Sequence, residues 1–433
     1  MTLNNFIRIL GMAFNRKVRR LLGRIQRIYR KDPNFSRRIS LKSTKVMLWG
    51  EKIVKHNDQY IISSFIPPIP SRAYFEFATS TPQKEHVYTQ QSLSIRSAPI
   101  SCFLALTNAC NFNCKHCSAK GRKTGDELTS EQWITVISNL QDMGVSVIGF
   151  TGGEPLMLKD LEKIIAAVDD RSVSILYTNG KGLTYERALE FKKNGLFSAA
   201  VSLDSHCRDT FNDMRNSSEA FDISVEAIKN SRKAGLYTMM QSVFTKETAT
   251  EKNLFDLFKL GKELGVHEIR VLEPIRSGYL FDRDDLENFF FDNETRQKII
   301  NFQLKINKKL GYPKMTSFAH TESDAKYGCG AGTQHSYITP SGELLPCDFV
   351  PLSFGNVLKD DLSKIWIEMN KAIGIPKSGC FANKINQELR TYDKNMFPLD
   401  KELSKEICLR LQDKTFPRIY QIRQQAIKHQ LDN

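Results

Sequence analysis

Apolar residues recur in two rhythms along this chain, and the change between them marks its parts. From Leu3 to Lys31 the rhythm is helical. Leu3, Ile7, Leu10, Phe14, Val18, Leu21, Leu22, Ile25, Ile28 and Tyr29 fall on one side when the chain turns by about 100° per residue. Pro33 ends the run. Residues 41–98 break into short pieces, with Lys45–Trp49 and Tyr60–Phe65 expected as a hairpin ahead of Pro67-Pro68-Ile69-Pro70. From residue 101 onward, short apolar runs alternate with amphipathic ones. The expected strands are Cys102–Thr107, Val145–Phe150, Val173–Thr178, Ala199–Leu203, Thr238–Phe244 and Ile269–Glu273. Thr129 and Gln132 spell a capping box, and Gly144, Gly195, Gly235 and Gly265 stand where helices should stop. Such alternation implies parallel strands with crossover helices, open or closed into a barrel, with function at the C-terminal ends of the strands.

Composition narrows the class. The 433 residues carry 41% hydrophobic and 25% charged side chains, enough for a sizeable core in two or three domains. No apolar run is long enough to span a bilayer, and no secretory signal opens the chain. Nine scattered cysteines argue against a secreted disulfide framework and for reduced thiols available to metal in the cytoplasm. Of the net charge of +14, the first forty residues carry +10, with eleven Lys or Arg against Asp32 alone. A helix with one apolar and one cationic face fits an anionic membrane surface, and equally fits docking on its own domain with a solvated basic side. Nucleic acid is not expected, because no recognition fold accompanies the basic run.

The chemistry starts in Cys110-Asn111-Phe112-Asn113-Cys114-Lys115-His116-Cys117, directly after the first expected strand. Three thiolates on one short loop can wrap a soft metal centre. Zinc would need a fourth protein ligand, for which His116 is the nearby candidate, whereas a four-iron cluster would keep one iron open. Gly152, Gly153, Glu154 and Pro155 close the second strand, where paired glycines allow a close backbone approach and a carboxylate suits an ammonium. Spacing and placement together resemble the radical S-adenosylmethionine (radical SAM) superfamily. The resemblance implies a partial (β/α)6 barrel and a [4Fe–4S] cluster on Cys110, Cys114 and Cys117 whose open iron chelates S-adenosylmethionine. It places His116 near the adenine and Gly152–Pro155 at the methionine amino group. It also implies that Asn179, Ser202 and Asp204 line the cofactor, with Ser202 at the ribose.

Further along, Cys329, Cys347 and Cys380 are followed by Cys408. Thr339–Cys347 reads as a strand–turn–strand around Gly342, and Leu362–Trp366 as a short helix. This stretch resembles the SPASM extension of radical SAM enzymes. It lacks that extension's dense Cys-x2-Cys-x5-Cys-x3-Cys run, so the resemblance implies the shortened twitch form. That form would hold one auxiliary [4Fe–4S] cluster on Cys329, Cys347 and Cys380, with Cys408, another side chain or substrate as the fourth ligand. Asp348, beside Cys347, is a candidate acceptor for a proton from a substrate radical.

The expected organisation is a basic amphipathic helix (1–40), a hairpin and linker (41–98), the barrel (99–310), the auxiliary-cluster domain (311–385) and a helical tail (386–433, with helices at Asp400–Leu411 and Arg418–Gln430). The family likeness implies an enzyme, reduced by flavodoxin or ferredoxin, that abstracts hydrogen from a carbon of a peptide or protein. The alternatives are a membrane lipid or small molecule as substrate, with the enzyme peripheral on the inner membrane face, or a metal-binding structural protein without catalysis.

Overall fold

The computed structural model describes residues 2–120 and 125–428. A hairpin, β1 (Val54–His56) and β2 (Gln59–Ile61), precedes the main sheet. The sheet is built from β3 (Ser101–Ala105), β4 (Val147–Thr151), β5 (Val173–Thr178), β6 (Ser198–Ser202), β7 (Tyr237–Val243), β8 (Glu268–Leu272), β9 (Lys314–Ser317), β10 (His335–Ile338) and β11 (Leu344–Leu345). Its order is β11-β10-β3-β4-β5-β6-β7-β8-β9, parallel throughout except where β11 returns along β10. The six expected strands are β3 to β8, each within two residues of its expected start. The pattern missed β9 and β10, which extend the sheet past both of its ends; the result is a partial barrel. Helix punctuation follows the sequence. Thr129 and Gln132 form both capping-box bonds, and Gly144 ends that helix in the left-handed conformation (φ +102°).

Strand residues alternate between two apolar layers, as period two requires. Leu104, Ile148, Phe150, Leu176 and Val201 face the crossover helices. Val147, Ile175, Tyr177, Ala200 and Tyr237 form the second layer, and Ile61 of β2 packs among them. The hairpin therefore stops the barrel at its N-terminal end and leaves the C-terminal ends of the strands for chemistry.

The N-terminal region departs from expectation. The single helix is two, α1 (Leu3–Phe14) and α2 (Arg16–Tyr29), because the Asn15 side chain accepts from Lys17 N and Val18 N and starts a new helix. The segment Lys45–Trp49 is no strand: Ser36 caps α3 (Arg37–Leu48), and the hairpin turns later, at Asn57 (φ +51°). Residues 41–98 hold two more helices, α4 (Arg72–Thr79) and α5 (Val87–Ser92). Val18, Leu21 and Ile25 of α2 are buried with Ile53, Tyr60, Ile69 and Tyr74. By contrast Leu3, Phe6, Ile7, Leu10 and Phe14 form an exposed stripe on α1, with Leu3 67% and Phe14 80% accessible. Docking on the chain's own domain thus holds for α2 and not for the stripe of α1.

Glu51 anchors this region to the barrel. Its carboxylate is buried against Lys314 of β9 and Lys326. Burial alone would raise its pKa, yet the two ammonium groups hold it down at about 2. In the tail, helices span Lys401–Arg410 and Arg418–Lys428, and the expected end at Gln430 lies outside the described residues. The second of them packs Ile419 and Tyr420 against Val46 of α3, and Ala426 against Ile39 and Tyr88.

Candidate functional site

The loop carrying Cys110, Cys114 and Cys117 leaves the C-terminal end of β3 and is held by the end of β4. Gly153 N donates to Thr107 O (2.7 Å) and Glu154 N to Ala109 O (2.8 Å). A Cβ on Gly152 would sit 2.4 Å from Thr107 O, and one on Gly153 would sit 2.1 Å from Ala109 O. The paired glycines therefore let one backbone lie against another, and what they approach is the cysteine loop.

Glu154 is buried (1% exposed). One carboxylate oxygen accepts from Thr178 Oγ1 (2.6 Å) and Leu156 N (3.0 Å), and the other from Asn179 N (2.7 Å). Burial still dominates and lifts its pKa to about 7. Glu154 thus ties the ends of β4 and β5 together at the rim. Pro155 opens the single turn Pro155–Met157 that follows.

Asn179, just past β5, donates from Nδ2 to Asn111 Oδ1 (2.7 Å) and lies 4.0 Å from Cys110 Sγ. Asp204, after β6, is buried; Val243 N donates to one of its oxygens (2.9 Å) and Arg215 Nη2 to the other (2.5 Å). His116 Nε2 lies 3.7 Å from the same carboxylate, and burial lowers the ring pKa to about 4, so it is neutral. Arg215 also donates from Nη1 to Cys114 Sγ (3.6 Å). Ser202 ends β6 at the same rim, half-buried. The sequence-expected residues are therefore brought together. Arg215 and Asn111 were missed, because nothing local marks an arginine a hundred residues from the thiol it meets.

The donor set suits a soft, multinuclear centre. Burial pushes up the thiols of Cys110 and Cys114, while the Arg215 guanidinium favours the Cys114 thiolate. Among the described residues, no three Cys, His, Asp or Glu side chains converge as a single ion would need. His116 faces Asp204, which leaves a zinc site without its fourth ligand.

The second trio gathers around a solvent-open cavity of about 220 Å³, which runs from Leu272, Glu273 and Ile275 at the end of β8 across to Cys329, Cys347 and Cys380. Cys329 pairs with Lys377 through two backbone bonds (2.8 and 2.9 Å), and Cys347 follows β11 in a turn closed by Val350 N (3.2 Å). Cys380 starts the helix Phe381–Leu389. Burial drives the Cys347 and Cys380 thiols well up, and the charge of Cys329 adds to the effect in both. Asp348 and Gln241 line the same cavity. Cys408 is not among the residues that line this cavity. It is fully buried in the core on the helix Lys401–Arg410, where Lys377 is its charged neighbour.

The family model of the Radical SAM superfamily matches residues 104–258, and that of an iron–sulfur cluster-binding domain, SPASM, matches residues 329–382. An AdoMet-dependent heme synthase of Nitratidesulfovibrio vulgaris is 25% identical over 286 residues, covering 60% of this chain and 77% of that protein. The sporulation killing factor maturation protein SkfB of Bacillus subtilis is 26% identical over 270 residues, covering 62% and 64%. Among solved structures, Streptococcus suis SuiB bound to the precursor peptide SuiA has a similar fold, with a TM-score of 0.57 at 17% identity over 77% of this chain and 80% of that one.

Proposed function

The chain belongs to the radical SAM superfamily, and from that premise we propose that it abstracts a hydrogen atom from a carbon of a peptide or protein substrate. It is an enzyme of the kind that uses a [4Fe–4S] cluster, S-adenosylmethionine and auxiliary iron–sulfur in its SPASM domain. Bound together, the first two supply a 5′-deoxyadenosyl radical once an electron arrives, here from flavodoxin or ferredoxin. The observation that carries the reading is the cysteine loop locked onto Gly152-Gly153 at the strand ends.

In this reading Cys110, Cys114 and Cys117 hold the first cluster, and Arg215 steadies the Cys114 thiolate. Glu154 and Asn179 orient the methionine end of the cofactor, and His116, Ser202 and Asp204 flank its nucleoside. Cys329, Cys347 and Cys380 hold one auxiliary cluster, as in a twitch domain, and the cavity beside them admits the substrate carbon. Asp348 would accept a proton from the substrate radical, and the auxiliary cluster held by the adjacent cysteines would accept its electron. The peptide assignment is supported by the names of SkfB, a maturation protein, and of SuiB with its precursor peptide.

A second reading, a membrane lipid or other small molecule, is favoured by the exposed stripe of α1 beside the basic face of α2, and by the likeness to a heme synthase. It sets the enzyme on the inner face of the membrane as a peripheral protein. Among the described residues no helix is long and apolar enough to cross one.

The test is anaerobic reconstitution with iron and sulfide, followed by reduction with S-adenosylmethionine. Formation of 5′-deoxyadenosine that rises with a precursor peptide encoded nearby, together with a mass change in that peptide, supports the first reading. A rise with lipid extract alone would replace it by the second. No 5′-deoxyadenosine under several reductants would sink both.

A further inference from the structure

We propose that Arg270 of β8 anchors a carboxylate of the substrate, gripping it with its guanidinium while Gln241 and Thr316 stand on either side. The inference deepens the function proposed above: it rests on the substrate entering the cavity at the strand ends, and it names a group that the substrate must carry.

Strand register builds the site. Ser202, Gln241, Arg270 and Thr316 pair one to the next across β6, β7, β8 and β9, so the four form a single row. Ile269, Val271 and Met315 belong to the core packed on the crossover helices, which puts Arg270 and Thr316 on the opposite face. At about 4.8 Å per strand, Arg270 stands roughly 10 Å along the row from Ser202, the residue read as flanking the nucleoside.

Arg270 is buried (1% exposed), yet it lines the cavity together with Gln241. Phe65 lies 4.6 Å from the guanidinium carbon, and Phe318 and Tyr177 each lie 5.5 Å from it. Nη1 donates to Tyr177 Oη (2.6 Å), while Nε is buried without an acceptor. The guanidinium enters no ion pair among the described residues. Glu268, the preceding residue on the same face of β8, accepts from Tyr237 Oη (2.8 Å), and Glu273 is paired with Arg296 (2.8 Å). Thr316 Oγ1, next in the row, is a second buried group without a partner. A buried cation is costly when no anion meets it, and the stacked rings recover only part of that cost. A carboxylate entering the cavity supplies what is missing. Its two oxygens match the planar fork, with the Gln241 amide and the Thr316 hydroxyl as further donors beside it.

The test uses the full chain, reconstituted anaerobically with iron and sulfide, and saturation-transfer NMR of small probes. Three carboxylates are titrated, each against its primary amide: N-acetylalanine for a peptide terminus, N-acetylglutamate α-amide for an acidic side chain, and benzoate for a small-molecule acid. At least one carboxylate should bind about tenfold tighter than its amide, and the one with the largest preference names the source. Arg270→Met should erase that preference while the amides bind as before. Arg423→Gln, at another arginine of the same cavity, should leave it intact. No preference in the parent, its retention in Arg270→Met, or its loss in Arg423→Gln overturns the proposal. If Arg270→Met does not fold or loses the amides too, Arg270→Gln, which can still donate to Tyr177, decides by the same ratio. Formation of 5′-deoxyadenosine is measured on the same samples. A carboxylate preference without it keeps the Arg270 site and removes the radical reading, and the converse removes the site alone.

Discussion

Gly153 lies so close to Ala109, the residue before Cys110, that a Cβ on it would stand 2.1 Å from the Ala109 carbonyl oxygen. The obstacle is backbone, which cannot rotate away, so Gly153→Ala must push the cysteine loop off the end of β4. Iron bound by the first trio should fall about tenfold, and 5′-deoxyadenosine formation with it. Gly23→Ala is the control: its Cβ would meet nothing within 4 Å on helix α2. That change should leave iron content alone and stabilise by up to about 1 kcal/mol. Equal iron in both variants would break the account of the paired glycines.

Arg215 and Asp204 form a buried pair, and removing one partner strands the other. Arg215→Met should therefore cost about 3–5 kcal/mol of stability. Chemical denaturation of the apoprotein reads this directly. Arg215→Lys keeps the charge but cannot reach both Asp204 and Cys114 with a forked head, so it should recover stability better than cluster retention. Parallel losses in the two measurements would mean that the contact with Cys114 contributes nothing.

Glu154 yields a pH prediction. Its folded pKa, about 7, lies above the ordinary 4.5 because burial outweighs its three hydrogen-bond donors. A raised carboxyl pKa means that the folded protein holds a proton the unfolded chain has lost. The group therefore costs stability as pH rises above about 4.5, and the cost levels off once pH passes 7. An arriving ammonium group needs the anion. Affinity for S-adenosylmethionine should thus rise about ninefold from pH 6 to pH 8, as the ionised fraction climbs from about a tenth to about nine tenths. Glu154→Gln should bind weakly with a flat profile; a parental slope in that variant would place the titration elsewhere.

The stripe on α1 predicts vesicle binding. The full chain should sediment with phosphatidylglycerol vesicles in low salt, far less in high salt, and hardly at all with phosphatidylcholine. Ile7→Glu with Phe14→Glu should abolish this without lowering the melting temperature, because both side chains are exposed. Undiminished binding by the double variant would move the contact off α1.

Much of the scaffold was legible because it is written locally. Strands β3 to β8 and the Thr129–Gln132 capping box are set by neighbours a few residues apart. The cofactor rim was legible through the spacing of Cys110, Cys114 and Cys117. What stayed hidden depends on meetings across the chain. The segment Lys45–Trp49 is too short for its period to distinguish strand from helix, and the cap at Ser36 decides it. Asn15 divides the first helix without disturbing the apolar rhythm. Arg215 is an ordinary surface-type residue in sequence, and only the fold carries it to a thiol. Cys408 is buried in the core on the helix Lys401–Arg410, a placement its residue type alone does not reveal.

The contact between α3 and the helix Arg418–Lys428 also sets an order of events during synthesis. Ile419, Tyr420 and Arg423 wall the cavity that Cys329, Cys347 and Cys380 face. That wall leaves the ribosome after everything it covers. Until it arrives, the cavity that those thiols line lacks one of its walls.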